Sequence, residues 1–466
     1  MRTAPRPRLV VLGLDGLPYS LARDLCAAGR LPHLAALALD PRCRPIRAEL
    51  PELSPVNWTS FYTAANPGEH GVFGFTRIHP RDYAIALADF SQVAAPTIYD
   101  RLGERGLVSK VVNLPNTYPA RAFAGGRGML VAGFVAPDLR RAVHPPFLAA
   151  PLAAAGYRLE ADTDRGKTDP DFLLGDLSAM LDARRKALDL LWPDLAWDTF
   201  TFVLTETDRL FHFLFHAVAH AGHPLHAACL DFLGRWDALV GEVLARYAAL
   251  PEPKRLIALA DHGFTELIVE VDVNAWLREQ GLLTLSGPPP AHELDASRIA
   301  PATRAFALDP GRIYLHTAAR FGRGGVSQAE APALAARIRD GLMALRWEGQ
   351  PVMAAVHDGA ALYSGPLAHA APDLVCEARP GFDLKAKFDR AAVFGRFGRT
   401  GAHTADDAFY YDSAAPETVA AQLQPAPAFT PRHAGQAVLH HCGIGTTDSL
   451  VMPPICTERI ATDPKK

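Results

Sequence analysis

The sequence predicts an α/β fold, a mostly parallel sheet sandwiched by helices and interrupted by an inserted cap region. Three observations lead there. Short apolar runs of strand length alternate with amphipathic stretches of helical period up to about residue 265, the pattern of a sheet whose crossovers are helices. Three of the four main runs carry an aspartate at or near their end, a residue of low strand propensity that is costly to bury unpaired. The composition then turns rich in Pro and Ala until about residue 395, which marks the insertion.

In chain order, RLVVLGLD (8–15) reads as the first buried strand. An amphipathic segment around 96–106 leads to a second strand, SKVVNL (109–114). A longer helical segment around 174–192 precedes TFTFVLTETD (199–208), and KRLIALADHG (254–263) is the fourth strand. Residues 266–395 read as a cap of mixed structure, and GRTGAHTADDAFY (398–410) returns the chain to the core. The core is therefore expected from 1–265 and 396–450, with a short helix ending near Gly443 and a C-terminal tail over 451–466, frayed from 459. A chain of 466 residues accommodates one large domain with such an insertion, or two domains, and it contains no internal repeat.

Composition narrows the functional classes. Hydrophobic residues make up 49% and charged residues 21% of the chain, which is the balance of a folded globular protein. A formal net charge of −3 gives no reason to expect a nucleic acid polymer or an anionic membrane as partner. No apolar run approaches the roughly 20 residues that cross a bilayer. The run Leu9–Leu14 is short for a signal peptide and ends in Asp15, so a cytoplasmic location is expected. The six cysteines (Cys26, Cys43, Cys229, Cys376, Cys442, Cys456) are scattered, with neither a disulfide framework nor a CxxC thiolate zinc pair.

The candidate chemistry lies at the strand ends, where such folds gather functional residues. Asp208 and His212 stand four apart at the start of the helical segment DRLFHFLFHAVAH, so both project from one face and can share an ion. His216 and His220 continue the spacing and compete with His212, but eight helical residues rise about 12 Å, too far for one ion to join Asp208 and His216. Asp261-His262-Gly263 follows RLIALA, and both side chains can turn to one ion while the glycine bends the backbone away. Asp15 closes the first strand, and no GxGxxG follows it to support a dinucleotide site. Ser54-Pro55 at the head of a helical segment puts a hydroxyl at a helix N-terminus, where N–H groups and the dipole favour an anion. Each signal also has an ordinary structural reading: a cap, a turn aspartate, or, for His403 in GAHTADD, a surface-loop histidine. No Ser/His/Asp triad is legible, so activation of Ser54 falls to a metal ion. The combined set of Asp15, Ser54, Asp208, His212, Asp261, His262 and His403 offers oxygen and imidazole donors without thiolates, which suits two divalent ions, zinc ahead of manganese. Two ions about 3.5–4 Å apart clamp the attacking and leaving oxygens of a phosphoryl group.

The segments VVLGLDG, LPHLAAL, SPVNWTSFYTAANPGEHGVFGF, VVNLPNTYPA, AGFVAPD, TETDRLFHF, ADHGF and GAHTADDAF resemble, in order and spacing, the alkaline phosphatase superfamily. The resemblance is to its predicted phosphohydrolase/phosphomutase group, related to type I phosphodiesterases/nucleotide pyrophosphatases. It spans residue 8 to about 410. It implies that Asp15, Asp261 and His262 hold one metal together with the nucleophile Ser54, and that Asp208, His212 and His403 hold the second. It also implies in-line attack on a small-molecule phosphate mono- or diester, a phosphoserine intermediate and its hydrolysis. Asn57, one helical turn beyond Ser54, is a candidate donor to a non-bridging oxygen, and Asn113 a weaker one that reads as turn-stabilising. Relatives acting on nucleotides typically carry threonine as nucleophile, so the serine here puts nucleotide preference in question.

Three other readings stay open or fall. A sulfatase needs Pro two positions and Arg four positions after its formylglycine precursor, and Val56 and Trp58 stand there instead. A phosphomutase has the same site and returns the phosphoryl group to its substrate. A non-catalytic metal- or phosphate-binding protein is the reading from a different class, and the complete ligand set argues against it. The cap is expected to choose the leaving group, with Arg298, Arg304, Arg312, Arg320 and Arg323 as its candidate anion-neutralising residues.

Overall fold

The computed structural model describes residues 8–415 and 428–445 of the chain. The expected tail (451–466), the end of the expected core segment (446–450) and Cys456 lie outside the described residues. The centre of the molecule is an eight-stranded sheet. Its strands in chain order are β1 (Arg8–Leu14), β2 (Arg44–Ile46), β3 (Ser109–Leu114), β4 (Met129–Ala132), β5 (Val143–His144), β6 (Thr199–Leu204), β7 (Lys254–Leu259) and β8 (Ala408–Asp412). Their spatial order is β2-β8-β7-β1-β6-β3-β4-β5. The five central strands run parallel, with β8 and β5 antiparallel to their neighbours toward the edges. This is the expected fold class. Every residue of β3 and β6 is buried; since successive side chains face opposite sides, both faces of the sheet are covered there.

The covering helices follow from their sequences. The helix Pro170–Leu191 starts at Asp169, whose side chain accepts from the Phe172 N–H, and its apolar stripe of Leu173, Leu177, Met180, Leu181 and Leu188 is buried. It packs beside Glu206–Ala219 and His226–Ala248. A second group pairs Ser54–Thr63, buried at every residue, with the C-terminal helix Pro431–His441. Trp58, Trp197 and Trp236 are the largest fully buried side chains of this body.

Two expected strands are shorter than their apolar runs. TFTFVLTETD leaves the sheet at Leu204, and Glu206 already opens a helix with two acidic residues in its first turn. Those acids favour a helix N-terminus through its dipole. KRLIALADHG stops at Leu259, and Gly263 begins a separate strand, Gly263–Glu266, paired antiparallel with Gly401–Thr404.

A second hydrophobic cluster gathers Val269 to Val393. It contains an antiparallel sheet of Ala305–Leu308, Arg312–Leu315, Leu374–Ala378 and Met353–Asp358, covered by the helix Ala331–Met343. A smaller sheet places Val269–Asp272 between Phe382–Lys385 and Phe394–Gly395. Tyr83 also belongs to this cluster, so the hairpin of Thr76–Ile78 and Ile85–Leu87 docks a piece of the N-terminal half onto it. Among the described residues, no helix is long and apolar enough to cross a membrane.

Candidate metal centre

Strands β7, β1 and β6 are neighbours in the sheet, and the residues that leave their carboxyl ends arrive side by side. Asp261 and His262 follow β7, Asp15 follows β1, and Asp208 lies in the first helical turn after β6. Gly16 makes the departure from β1 possible. Its φ is +67°, a Cβ there would meet the Asp208 Cα at 3.2 Å, and its N–H donates to Asp261 Oδ1 at 3.1 Å. His212 follows Asp208 by one helical turn. His403 is delivered by Gly401–Thr404, where it stands opposite Phe264 in register and stacks on the His262 ring at 3.7 Å.

Ser54 is the first residue of its helix, with Leu53 in the capping position, so its hydroxyl does not act as an N-cap. It points instead at the strand ends. Ser54 Oγ lies 3.4 Å from Asp15 Oδ1 and 3.3 Å from His262 Nε2, which is itself 3.3 Å from Asp261 Oδ2. Beyond them, Asp208 Oδ1 lies 3.4 Å from both His212 Nε2 and His403 Nε2, and those two nitrogens are 3.1 Å apart. Donors bound tetrahedrally at about 2.0–2.1 Å stand about 3.3–3.4 Å apart, so both groups have the spacing of a shell around one ion. His262 lies between the groups, and its Nε2 also comes within 3.8 Å of Asp208 Oδ1. His262 can thus join a shell with Asp208 and His403 or with Asp15 and Asp261, and its shorter contacts lie on the Ser54 side.

The donor set fits divalent ions on further grounds. Asp208 Oδ1 and Asp261 Oδ2 are buried without a hydrogen-bond partner, a costly arrangement that a cation relieves. The other oxygens and ring nitrogens are already oriented. Asp15 Oδ2 accepts from Trp58 Nε1 at 3.3 Å, and Asp208 Oδ2 from Arg209 Nη1 at 2.6 Å. His403 Nδ1 donates to the Glu52 carbonyl at 2.8 Å and His262 Nδ1 to the Gly263 carbonyl at 3.1 Å, which leaves each Nε2 free as a ligand. Burial and the neighbouring carboxylates of Asp261 and Asp208 push the Asp15 carboxyl well above its usual range. Burial also acts upward on Asp208, but His212, Arg209 and His403 outweigh it and hold that carboxyl well below the usual range. Burial holds the imidazoles of His212 and His403 below theirs.

All seven expected ligands therefore converge. The expectation for Asn57 does not hold. Asn57 faces away from the centre: its amide donates to the Glu49 and Leu53 carbonyls and its Oδ1 accepts from the Glu49 N–H. With both ends spent it clamps the 49–53 loop and has no donor for a phosphoryl oxygen. Asn113, at a left-handed φ of +62°, donates to the Val203 carbonyl, consistent with its turn-stabilising reading. His216 packs on His223, and His220 pairs with Glu266.

The centre opens into a cavity of about 230 Å³ that Ser54, Asp208, His212 and His403 line on one side. None of the five expected cap arginines reaches it. Arg312 is buried on Thr76 and the Asp309 carbonyl, Arg320 and Arg323 hold backbone carbonyls, Arg304 pairs with Glu330, and Arg298 holds the Pro288 carbonyl. The cations that do line the cavity are Lys167, Arg209, Lys385 and Arg399. The strand Phe382–Lys385 lines the cavity along its length, with Phe382 and Leu384 buried in the second hydrophobic cluster and Asp383 and Lys385 partly exposed. That period of two is legible in FDLK, although nothing in it says which cavity the polar face meets. Glu52, two residues before Ser54, also lines the cavity; burial pushes its carboxyl up to about 7.

A family model described as type I phosphodiesterase / nucleotide pyrophosphatase matches residues 9–406. No curated protein matches the chain significantly. Among solved structures, the fold is similar to that of phosphonoacetate hydrolase from Sinorhizobium meliloti 1021, solved in complex with phosphonoacetate and with phosphonoformate. The TM-score is 0.61 at 16% identity, covering 94% of this chain and 96% of that one. Murine ectonucleotide pyrophosphatase / phosphodiesterase 5 superposes with a TM-score of 0.54 at 12% identity, over 94% of this chain and 95% of that one. An inactive form of it, solved in complex with AMP, gives 0.55.

Proposed function

The chain belongs to the type I phosphodiesterase / nucleotide pyrophosphatase family, a family of phosphoric ester hydrolases, and from that premise we propose that it is a two-metal phosphohydrolase that cleaves small phosphate mono- or diesters through a phosphoserine intermediate on Ser54. The observation that carries this reading is the position of Ser54 Oγ. It lies 3.3–3.4 Å from His262 Nε2 and Asp15 Oδ1, and it lines the same cavity as Asp208, His212 and His403.

In this reading Asp15, Ser54, Asp261 and His262 hold one divalent ion, and Asp208, His212 and His403 hold the other. Zinc stands ahead of manganese because three of the donors are imidazoles. The ions, when bound, lower the pKa of the nucleophile and neutralise charge on the phosphoryl oxygens. The chain's own residues do the rest. The Ser54 hydroxyl gives up its proton to a solvent water as the Oγ–P bond forms, and the ester P–O bond opposite it breaks. The leaving alkoxide takes a proton from water. A water molecule then hydrolyses the phosphoserine and restores the hydroxyl. The helix beginning at Ser54, buried over its whole length and tied to Asp15 through Trp58, keeps Oγ aimed while this happens. Residues 266–395 act as the substrate-selecting cap.

The test is Ser54→Ala in protein loaded with zinc or manganese. Turnover of p-nitrophenyl phosphate and bis(p-nitrophenyl) phosphate is expected to fall at least about a thousandfold, with metal content measured alongside. Acid quenching of the wild type during turnover is expected to trap a phosphoryl group on the Ser54 peptide. If the loaded wild type cleaves neither ester, the hydrolase reading fails and the metal-binding protein replaces it.

A further inference from the structure

Among the described residues, the cations that line the cavity are each held close to a carboxylate, with one exception. Lys385 Nζ lies 2.7 Å from Asp383 Oδ2, Lys387 Nζ lies 2.6 Å from Asp309 Oδ2, and Arg209 Nη1 lies 2.6 Å from Asp208 Oδ2. Lys167 is tied to Asp164 on the surface. Arg399 stands apart. Its closest polar contact is 3.3 Å from Nη1 to His212 Nδ1, a nitrogen that carries the proton when Nε2 is a ligand and so accepts nothing from the guanidinium, and the Asp383 carboxylate is 3.6 Å away and already bonded to Lys385. Most of a five-donor planar fork therefore remains unspent beside the centre. The backbone that carries Arg399 is held in place from behind. The Thr400 N–H donates to the His212 carbonyl at 2.9 Å, and at Gly401 a Cβ would come within 2.2 Å of the Phe211 carbonyl oxygen, so this segment is pressed against the ligand-bearing helix. Lys385 supplies a second cation on the same wall, projected there by strand alternation. Burial and then Arg399 pull its ammonium below the ordinary lysine range, the mark of two like charges held close together.

We propose that Arg399, assisted by Lys385, receives a second anionic group of the substrate, so that the enzyme acts on small phosphate esters that also carry a carboxylate or a second phosphate. This rests on the hydrolase reading above. The phosphoryl group that reacts lies against Ser54, and the second anion meets the guanidinium across the same cavity. The fork matches the planar oxygens of a carboxylate or two oxygens of a phosphate.

The experiment uses a matched series differing only at the far end: ethyl phosphate, 2-phosphoglycolate and ethylene glycol bisphosphate, with release of phosphate as the readout. The metal-loaded wild type is expected to show kcat/KM at least tenfold higher for one or both anionic members than for ethyl phosphate. Which of them gains tells carboxylate from phosphate. Arg399→Met and Lys385→Met are expected to bring that ratio toward one, and Lys385→Arg to restore most of it; thermal melts show which variants fold. Equal rates across the series in the wild type overturn the proposal. So does a uniform loss in Arg399→Met with the ratio kept, because the guanidinium then serves the reacting phosphoryl group. Calorimetric binding of 2-phosphoglycolate, ethylene glycol bisphosphate and ethyl phosphate to Ser54→Ala decides the matter without turnover. At least tenfold tighter binding of an anionic member, lost in the Arg399→Met double variant, upholds the proposal even where the hydrolase reading fails. Equal binding of all three overturns it.

Discussion

The two hydrophobic bodies of this molecule present functional groups in different ways. In the sheet body, five of the seven candidate ligand side chains follow the ends of β1, β6 and β7, where strand hydrogen bonding stops and a carboxylate or imidazole can turn to a common point. In the second body, Asp383 and Lys385 come from the face of a strand, as the less buried half of an alternating pattern. A strand end offers one position and one direction, and every group there is surrounded by others of the same centre. A strand face offers interchangeable positions whose inward partners carry the packing. Loss of a group should therefore be severe in the first body and graded in the second.

The sharpest break of that contrast is Asp261→Asn. Asp261 is fully buried, one oxygen taking the Gly16 N–H and the other unpartnered. Phosphate-ester turnover is expected to fall by at least about a thousandfold, and bound metal, measured by elemental analysis, to fall from two ions toward one per chain. A fully active, fully loaded variant would remove Asp261 from the centre.

A smaller effect reads the sheet body through pH. His70 is fully buried; its Nδ1 accepts from the Val72 N–H and its Nε2 lies 3.0 Å from Ser60 Oγ on the Ser54 helix. Burial pulls its imidazole down to about 3, whereas an unfolded histidine titrates near 6.5. The unfolded chain therefore binds the proton first. The neutral ring's contribution is fully present above about 6.5 and is lost as pH falls toward 3, at roughly 1.4 kcal/mol per pH unit. Denaturant unfolding of wild type and His70→Gln at several pH values between 7.5 and 5 checks this. The wild type should lose stability more steeply, and coincident slopes would refute the assignment.

The smallest effect belongs to the cap surface. Arg304 and Glu330 form a 3.0 Å pair with side chains 35% and 51% exposed. Solvent screening reduces such a pair to less than about 1 kcal/mol. Arg304→Ala should shift the denaturation midpoint by no more than that and leave kcat/KM for the matched esters at the wild-type value. A change in ester selectivity would mean that this expected anion-binding arginine reaches the substrate after all.

Local chemistry is what made most of the centre legible. Asp208 and His212 share a helical face because of the 3.6-residue repeat, and Asp261-His262-Gly263 follows an apolar run whose strand end can be read from composition. Ser54 could be placed at the head of a helix, but its aim toward Asp15 and His262, rather than into its own helix, depends on where that helix packs. His403 could not be read from its surroundings at all. Its place comes from the pairing of Gly401–Thr404 with Gly263–Glu266 across more than a hundred residues, and only the family resemblance pointed to it.

By itself, the amino-acid order determined the α/β alternation, the aspartates at the strand ends and a candidate donor set of oxygens and imidazoles without thiolates, because periodicity and residue chemistry are local properties. The tertiary structure decided which polar side chains meet. It spent both ends of the Asn57 amide on the 49–53 loop, turned five cap arginines to other partners, and brought Arg399 and Lys385 to the cavity in their place. The physical reason is that a side chain's direction is set by the packing of its element against distant ones, and no spacing along the chain encodes that.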